Sequence, residues 1–329
     1  MRRLHLLTVI TIWLAAAAGI AAQSQITTAV IDGIVVDTSG AVLPGVGVEI
    51  RNVDTNLTRS LTTDQSGRFV ALQLPPGRYT VTLKLQGFAT LVQENVLASV
   101  GEAVRLTPTM KVSAVAETVT VSAASLAVET TRTAAATTLN EATIASTPIL
   151  GRKFEDLLTL TPGVSIVQGP DGDEINFSGQ RGVFNNISLD GGDYTNGFFG
   201  EQVGGQRAAI DITLEAVKEF QVIATGASAE FGHTAGGVVN VVTKSGTNLV
   251  KGSLFHYQRL EGLTSNTSDG KPLTDFHREQ FGGTVGGPLV KNKTFYFVAL
   301  EGVRENLQRP NLSDAIGTPC PVGDRKSVV

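Results

Sequence analysis

Four histidines and one cysteine limit the chemistry open to this chain. His5, His233, His256 and His277 never fall into the H-x-x-E or H-E-x-x-H spacing that brings two zinc ligands onto one helical face. Cys320 stands alone, so it makes neither an internal disulfide nor a cysteine-rich zinc site. Asp171, Asp173 and Glu174 lie close enough together to bind calcium, but three carboxylates in one loop are more often simply solvated. We therefore expect no metal and no cofactor. The glycine-rich run Gly282 to Gly287 follows no strand–turn–helix pattern and lacks the lysine of a phosphate loop. The N-x-S/T triplets that begin at Asn56, Asn176, Asn186, Asn266, Asn292 and Asn311 read as chance in a chain rich in serine and threonine. With no catalytic constellation, the chain does not read as an enzyme.

The elements around these residues are mainly strands. Charged residues make up 17% and the net charge is −4, which argues against a nucleic-acid partner that would want a basic stripe. Aromatics are 6%, glycines number 36, and serine, threonine and valine dominate the middle, a mix that favours many short strands and turns.

The first 22 residues decide the compartment. Arg2 and Arg3 precede an apolar stretch from Leu4 to Ile20, and the small residues Ala21 and Ala22 follow. This reads as a signal peptide over residues 1–22, cut after Ala21 or Ala22. The alternative, an uncleaved anchor, is disfavoured because a membrane helix needs about 20 apolar residues. No other apolar run approaches that length, so a membrane-inserted mature chain would enter as strands.

Residues 24–112 pattern as a small antiparallel β-sandwich. Val46, Val48 and Ile50 alternate with polar or small neighbours, and Tyr79, Val81, Leu83 and Leu85 do the same. Turn signals at Thr38-Ser39-Gly40, Asp64-Gln65-Ser66-Gly67 and Leu74-Pro75-Pro76-Gly77 separate them. Residues 113–125 shift to Ser, Ala, Thr and Val and read as a linker. From 126 to 248 short helical spacings, as in Phe154, Leu157, Leu158 and Leu160, mix with an apolar β run at Val238 to Thr243 and long Gly/Asn-rich loops. Residues 249–310 offer three strand candidates, Gly252 to Leu260, Gln280 to Leu289 and Lys293 to Val303. A long polar connection and then a tight one join them, the pattern of an outer-membrane barrel with strands of about ten residues.

Several motifs carry a family resemblance. G-x-V-x-D-x-S-G-A-x-L-P-G-V-x-V from Gly33 to Val48, D-x-S-G-R-F from Asp64 and L-P-P-G-x-Y-T-V from Leu74 resemble the carboxypeptidase-regulatory-like, transthyretin-like module, which is not a peptidase. Pro148 to Val164, Gly179 to Gly182, Leu189-Asp190-Gly191, Ala229 to Asn248 and Phe281 to Phe297 resemble the plug and barrel start of the TonB-dependent receptors, in the Oar-like group that carries such a module in front. The resemblance implies an α/β plug domain followed by the first strands of an incomplete barrel.

It also assigns roles. Glu117, Thr118, Val119, Thr120, Val121, Ser122 and Ala123 resemble the TonB box, which a TonB-type energy transducer would pair with by adding a strand. Read on its own, the same segment could be the last strand of the sandwich or the first of the plug. Gly151, Gly182, Gly191, Gly236 and Gly237, with Asp190, match plug structural positions, and Arg152 and Arg181 resemble plug arginines that in related receptors pair with barrel-wall carboxylates, partners expected here mostly in the missing part of the barrel. Asp193, Tyr194 and Asn196 would face the substrate side. The implied protein lies in the outer membrane of a Gram-negative bacterium, with sandwich and plug on the periplasmic side, in contact with lipid. It would import a nutrient such as a peptide, glycan or chelate. A periplasmic or surface binding module for carbohydrate or protein, built on the sandwich, is the alternative. Residues 311–329 read as an unstructured tail. Its last six, Asp324 to Val329, are what a common sequencing-adapter string encodes in one frame, so we expect the native frame to depart near Gly323.

Overall fold

A computed structural model of the chain describes residues 27–113, 118–122, 134–149, 152, 154–169, 172–180, 182–194, 212–229, 231–232, 234–266 and 276–306. The signal peptide, Glu117, Ala123, Gly151, Arg181, Asn196 and the tail lie outside them.

Alternation builds the first unit. Strands β1 (Ala29–Ile34), β2 (Val36–Asp37), β3 (Gly47–Asn52), β4 (Thr58–Thr62), β5 (Arg68–Leu74), β6 (Gly77–Lys84), β7 (Thr90–Ala98), β8 (Ala103–Leu106), β9 (Thr109–Met110) and β10 (Thr118–Ser122) form it. One sheet runs β5-β1-β8 and the other β10-β7-β6-β3-β4, with a small β2-β9 pair. Every second residue of β3 (Val48, Ile50) and β6 (Tyr79, Val81, Leu83) points inward, where it meets Ile31, Phe69, Leu74 and Leu106 of the facing sheet. Two D-x-S-G turns repeat one geometry. The Asp37 carboxylate accepts from the Ser39 and Ala41 amides at 2.7 and 2.9 Å, and Asp64 accepts from Ser66 and Arg68 at 2.8 and 3.0 Å. The serine hydroxyls and then these amides hold both exposed carboxyls below their ordinary range.

The second unit is the expected α/β mixture. Strand β11 (Ala135–Leu139) leads into the short helix Glu141–Ser146, capped by Asn140 Oδ1, which accepts from the Thr143 amide at 3.0 Å. The helix Phe154–Leu158 buries Phe154, Leu157 and Leu158, while Leu160 falls beyond it and is half exposed. A hairpin of β12 (Val164–Gly169) and β13 (Gly172–Phe177) follows, then β14 (Asn186–Leu189), β15 (Gly192–Asp193), β16 (Val217–Thr225) and β17 (Val238–Thr243). These last four with β11 make one mixed sheet of order β11-β16-β17-β14-β15. Leu214 to Phe220 holds a 3₁₀ turn over Leu214–Ala216 and then the start of β16.

The third unit is an antiparallel meander of β18 (Lys251–Leu260), β19 (His277–Val290) and β20 (Thr294–Asn306). β19 and β20 run 14 and 13 residues, longer than the ten or so expected, because the pairing continues from His277 through Asn306 past the apolar alternation. One face is apolar and bare: Leu254, Leu300 and Val298 are 93%, 72% and 47% exposed. The other face turns Phe255 and Tyr257 toward the plug-like unit. Among the described residues this sheet has two open edges and no closed barrel.

Candidate functional site

The plug-like core is assembled from short elements around Phe177, Phe220, Leu157 and Val239. Its glycines serve two different purposes. Gly191 has φ +84° in the tight turn between β14 and β15, a backbone state that suits glycine. Gly237 sits under the Phe177 ring, where an added Cβ would fall on the ring itself, and Gly236 is filled likewise by Asn185 Oδ1. Asn185 is buried; its amide donates to the Ile175 carbonyl at 2.6 Å and its oxygen accepts from the Gly237 amide at 3.2 Å. Gly182, itself buried, heads the 3₁₀ turn Gly182–Phe184. Asp190 ties β14 to β17 by accepting from the Thr243 amide and hydroxyl at 2.9 and 2.7 Å.

Arg152 pairs with Glu215 of its own unit at 2.7 Å. Its guanidinium then stacks over Phe255 and Tyr257 of β18 at 4.7 and 4.3 Å from the ring centroids. The facing positions of β18 are aromatic, so the quadrupole of the rings adds to the attraction of the Glu215 carboxylate. Tyr194 packs against the plug-like core and donates its amide to the Ile187 carbonyl, so it anchors the end of β15, while Asp193 beside it is exposed.

Thr118–Ser122 forms the outer strand of the sandwich. It pairs parallel with β7, Thr118 beside Thr90 through Ser122 beside Glu94. Of the two readings left open for this segment by its residues alone, this is the sandwich strand, and it occupies the sheet edge.

Three contacts that the sequence did not disclose join the units. Asn292, in the tight β19–β20 turn, accepts from Asn56 of the sandwich at 2.9 Å and from Asn248 at 2.8 Å. Asn56 and Asn292 both have φ near +60°, at 58° and 65°, so turn chemistry was the available signal, hidden behind their appearance as glycosylation triplets. Lys218 donates to the Pro76 carbonyl. Glu219 accepts from the Val100 amide at 2.8 Å, just past the end of β7. A cavity of about 1360 Å³ lies where the units meet, lined by Pro76, Glu141, Lys218, Gly286 and Asn292 among others.

Glu219 makes the junction pH-sensitive. Burial pushes its carboxyl up to about 7, against the pull of the Val100 amide and Lys218. The folded value lies above the ordinary one, so the contribution to stability is present at low pH. It is lost as pH rises from the ordinary 4.5 through about 7. Glu219→Gln keeps the acceptor and removes the charge. Denaturation midpoints should match wild type near pH 4.5, whereas at pH 8 the variant should be more stable by on the order of 2 kcal/mol.

Comparison with known proteins follows the same divisions. Residues 30–111 match the carboxypeptidase regulatory-like domain, 129–239 the TonB-dependent receptor plug domain, and 242–319 an outer membrane beta barrel domain. In order along the chain these are the domains of which TonB-dependent receptors are built. The chain is 27% identical over 297 residues to the TonB-dependent transporter Oar of Myxococcus xanthus, a match spanning 85% of the chain and 27% of Oar. The chain thus spans about a quarter of the length of that relative. Among solved structures, the siderophore receptor PirA of Acinetobacter baumannii is 23% identical with a TM-score of 0.39, over 52% of this chain and 24% of that one. A streptococcal ancillary pilin is 22% identical with a TM-score of 0.22, over 26% and 32%. Related receptors reside in the outer membrane, and the domains are those of transporters, not of enzymes.

Proposed function

We propose that this chain is the front of an outer-membrane active transporter that takes up a nutrient without covalent chemistry. The substrate, a peptide, glycan or chelate, binds outside. A TonB-type transducer captures Thr118–Ser122 from the periplasm, and the pull rearranges the plug so that substrate passes. The observation that carries this reading is the Asn56–Asn292 contact between the sandwich and the tight β19–β20 turn. In outer-membrane barrels the short turns face the periplasm and the long loops face outward. A sandwich bonded to a short turn therefore belongs to the periplasmic end, which a transducer can reach. The bare apolar face of β18–β20 suits lipid contact.

The sidedness can be tested with epitope tags on the whole receptor. A tag between Glu261 and Phe276, in the long connection, should bind antibody on intact cells. One replacing Val53–Leu57 should bind only after the outer membrane is opened. Surface labelling at 53–57 would overturn the orientation.

A further inference from the structure

We infer that the outer edge of β7 is a strand-binding site of the sandwich whose occupant is the chain's own transducer segment, so that the sandwich withholds that segment until it is released. The inference rests on the reading of Thr118–Ser122 as the transducer's target.

The pairing has the character of a releasable contact. It is five residues long and parallel, a pairing slightly less stable per residue than the antiparallel kind. Of the side chains described in this strand, Val119 packs against the sandwich core, whereas Thr118, Thr120 and Val121 are exposed. Among the described residues, backbone bonds and one valine therefore hold the strand. Withdrawing it would leave a nine-residue edge on β7 bare, and bare edges recruit strands, so the seat refills when the segment is let go. Strand addition gains its specificity from pockets for alternate side chains. While Val119 faces the sandwich core, half of that pattern is hidden from any other partner.

Chain order adds a mechanical consequence. β11, which pairs with β16 in the plug, begins at Ala135, thirteen residues after Ser122. A pull on the segment reaches β11 undivided only after its bonds to β7 are broken. The plug also holds the far end of β7 through Glu219 and Val100, so the seat itself is anchored to the domain that must move.

Two measurements on the full chain in detergent test this. Amide exchange at Val119–Val121 should be slowed, and Val119→Asp should return it to the rate of an open chain. Fast exchange in the wild type would overturn the inference. The second uses Thr120→Cys with Val92→Cys, neighbours in register, in a Cys320→Ser background. The probe is the purified periplasmic domain of a TonB-type transducer. A free peptide of residues 115–125 should bind the probe, and the reduced chain should bind about tenfold more weakly, since only the unpaired fraction is competent. The oxidised chain should not bind measurably until reductant is added. Equal binding by oxidised and reduced chains would overturn withholding while leaving the transducer reading intact. Failure of the free peptide itself would overturn that reading instead.

Discussion

Gly237→Val is expected to unfold the plug sheet around β14 and β17. Gly237 does not occupy the left-handed region, so its need for glycine is one of contact. The Phe177 ring covers it, and Phe177 is 1% exposed and cannot swing to solvent. The backbone is also fixed on both sides, with its carbonyl accepting from the Asn186 amide at 3.0 Å and its amide bonded to Asn185. Overpacking a core usually costs about 1–3 kcal/mol, and with neither ring nor backbone free to yield we expect about 3 kcal/mol or more. Hydrogen exchange should show lost protection in β16 and β17 while β3 and β6 keep theirs. Adding Phe177→Ala should recover part of the loss, because the two changes share one contact. Unchanged protection in the single variant would refute the contact argument.

Tyr79→Ala is expected to have a comparable effect on the sandwich. Tyr79 is fully buried at the centre of β6, and its hydroxyl donates to the Pro75 carbonyl at 2.6 Å. Removing a buried aromatic ring costs about 3–5 kcal/mol, a large part of what a domain of this size possesses. Tyr79→Phe keeps the ring and should cost only about 1 kcal/mol, the worth of the lost hydrogen bond. Urea denaturation followed by circular dichroism separates the two. Burial also pushes the phenol up to about 12, so the stability it lends is whole below its ordinary pKa and is lost as pH rises through about 12. Tyr79→Phe should lack that alkaline loss.

The sequence disclosed whatever depends on local pattern. Period-two alternation in Val46 to Ile50 and Tyr79 to Leu85 and the D-x-S-G turns gave the sandwich, because each strand hides one face and each turn satisfies its own backbone. The candidates Gln280 to Leu289 and Lys293 to Val303 gave the last two strands, though with ends drawn too short. What covers a face is not local. Lys218, Glu219 and Gln221 in β16 look like the solvent side of a strand, yet all three are partly or fully buried because the sandwich lies over them. Arg152 announced a partner, but nothing in its neighbourhood pointed to Glu215 or to the two aromatic rings on β18, about a hundred residues away. Thr118–Ser122 read as a strand without revealing that its neighbour is β7.

The account turns on whether a transducer takes Thr118–Ser122 by its backbone. Single cysteines placed at each of these five positions in the whole receptor, with cysteines along the transducer's pairing strand, report this in energised cells. The account predicts disulfide-linked receptor–transducer product that varies with period two along 118–122, strongest where side chains face the partner strand, and absent when the membrane is de-energised. No product at any of the five positions, in cells where another receptor still cross-links to the same transducer, would contradict it.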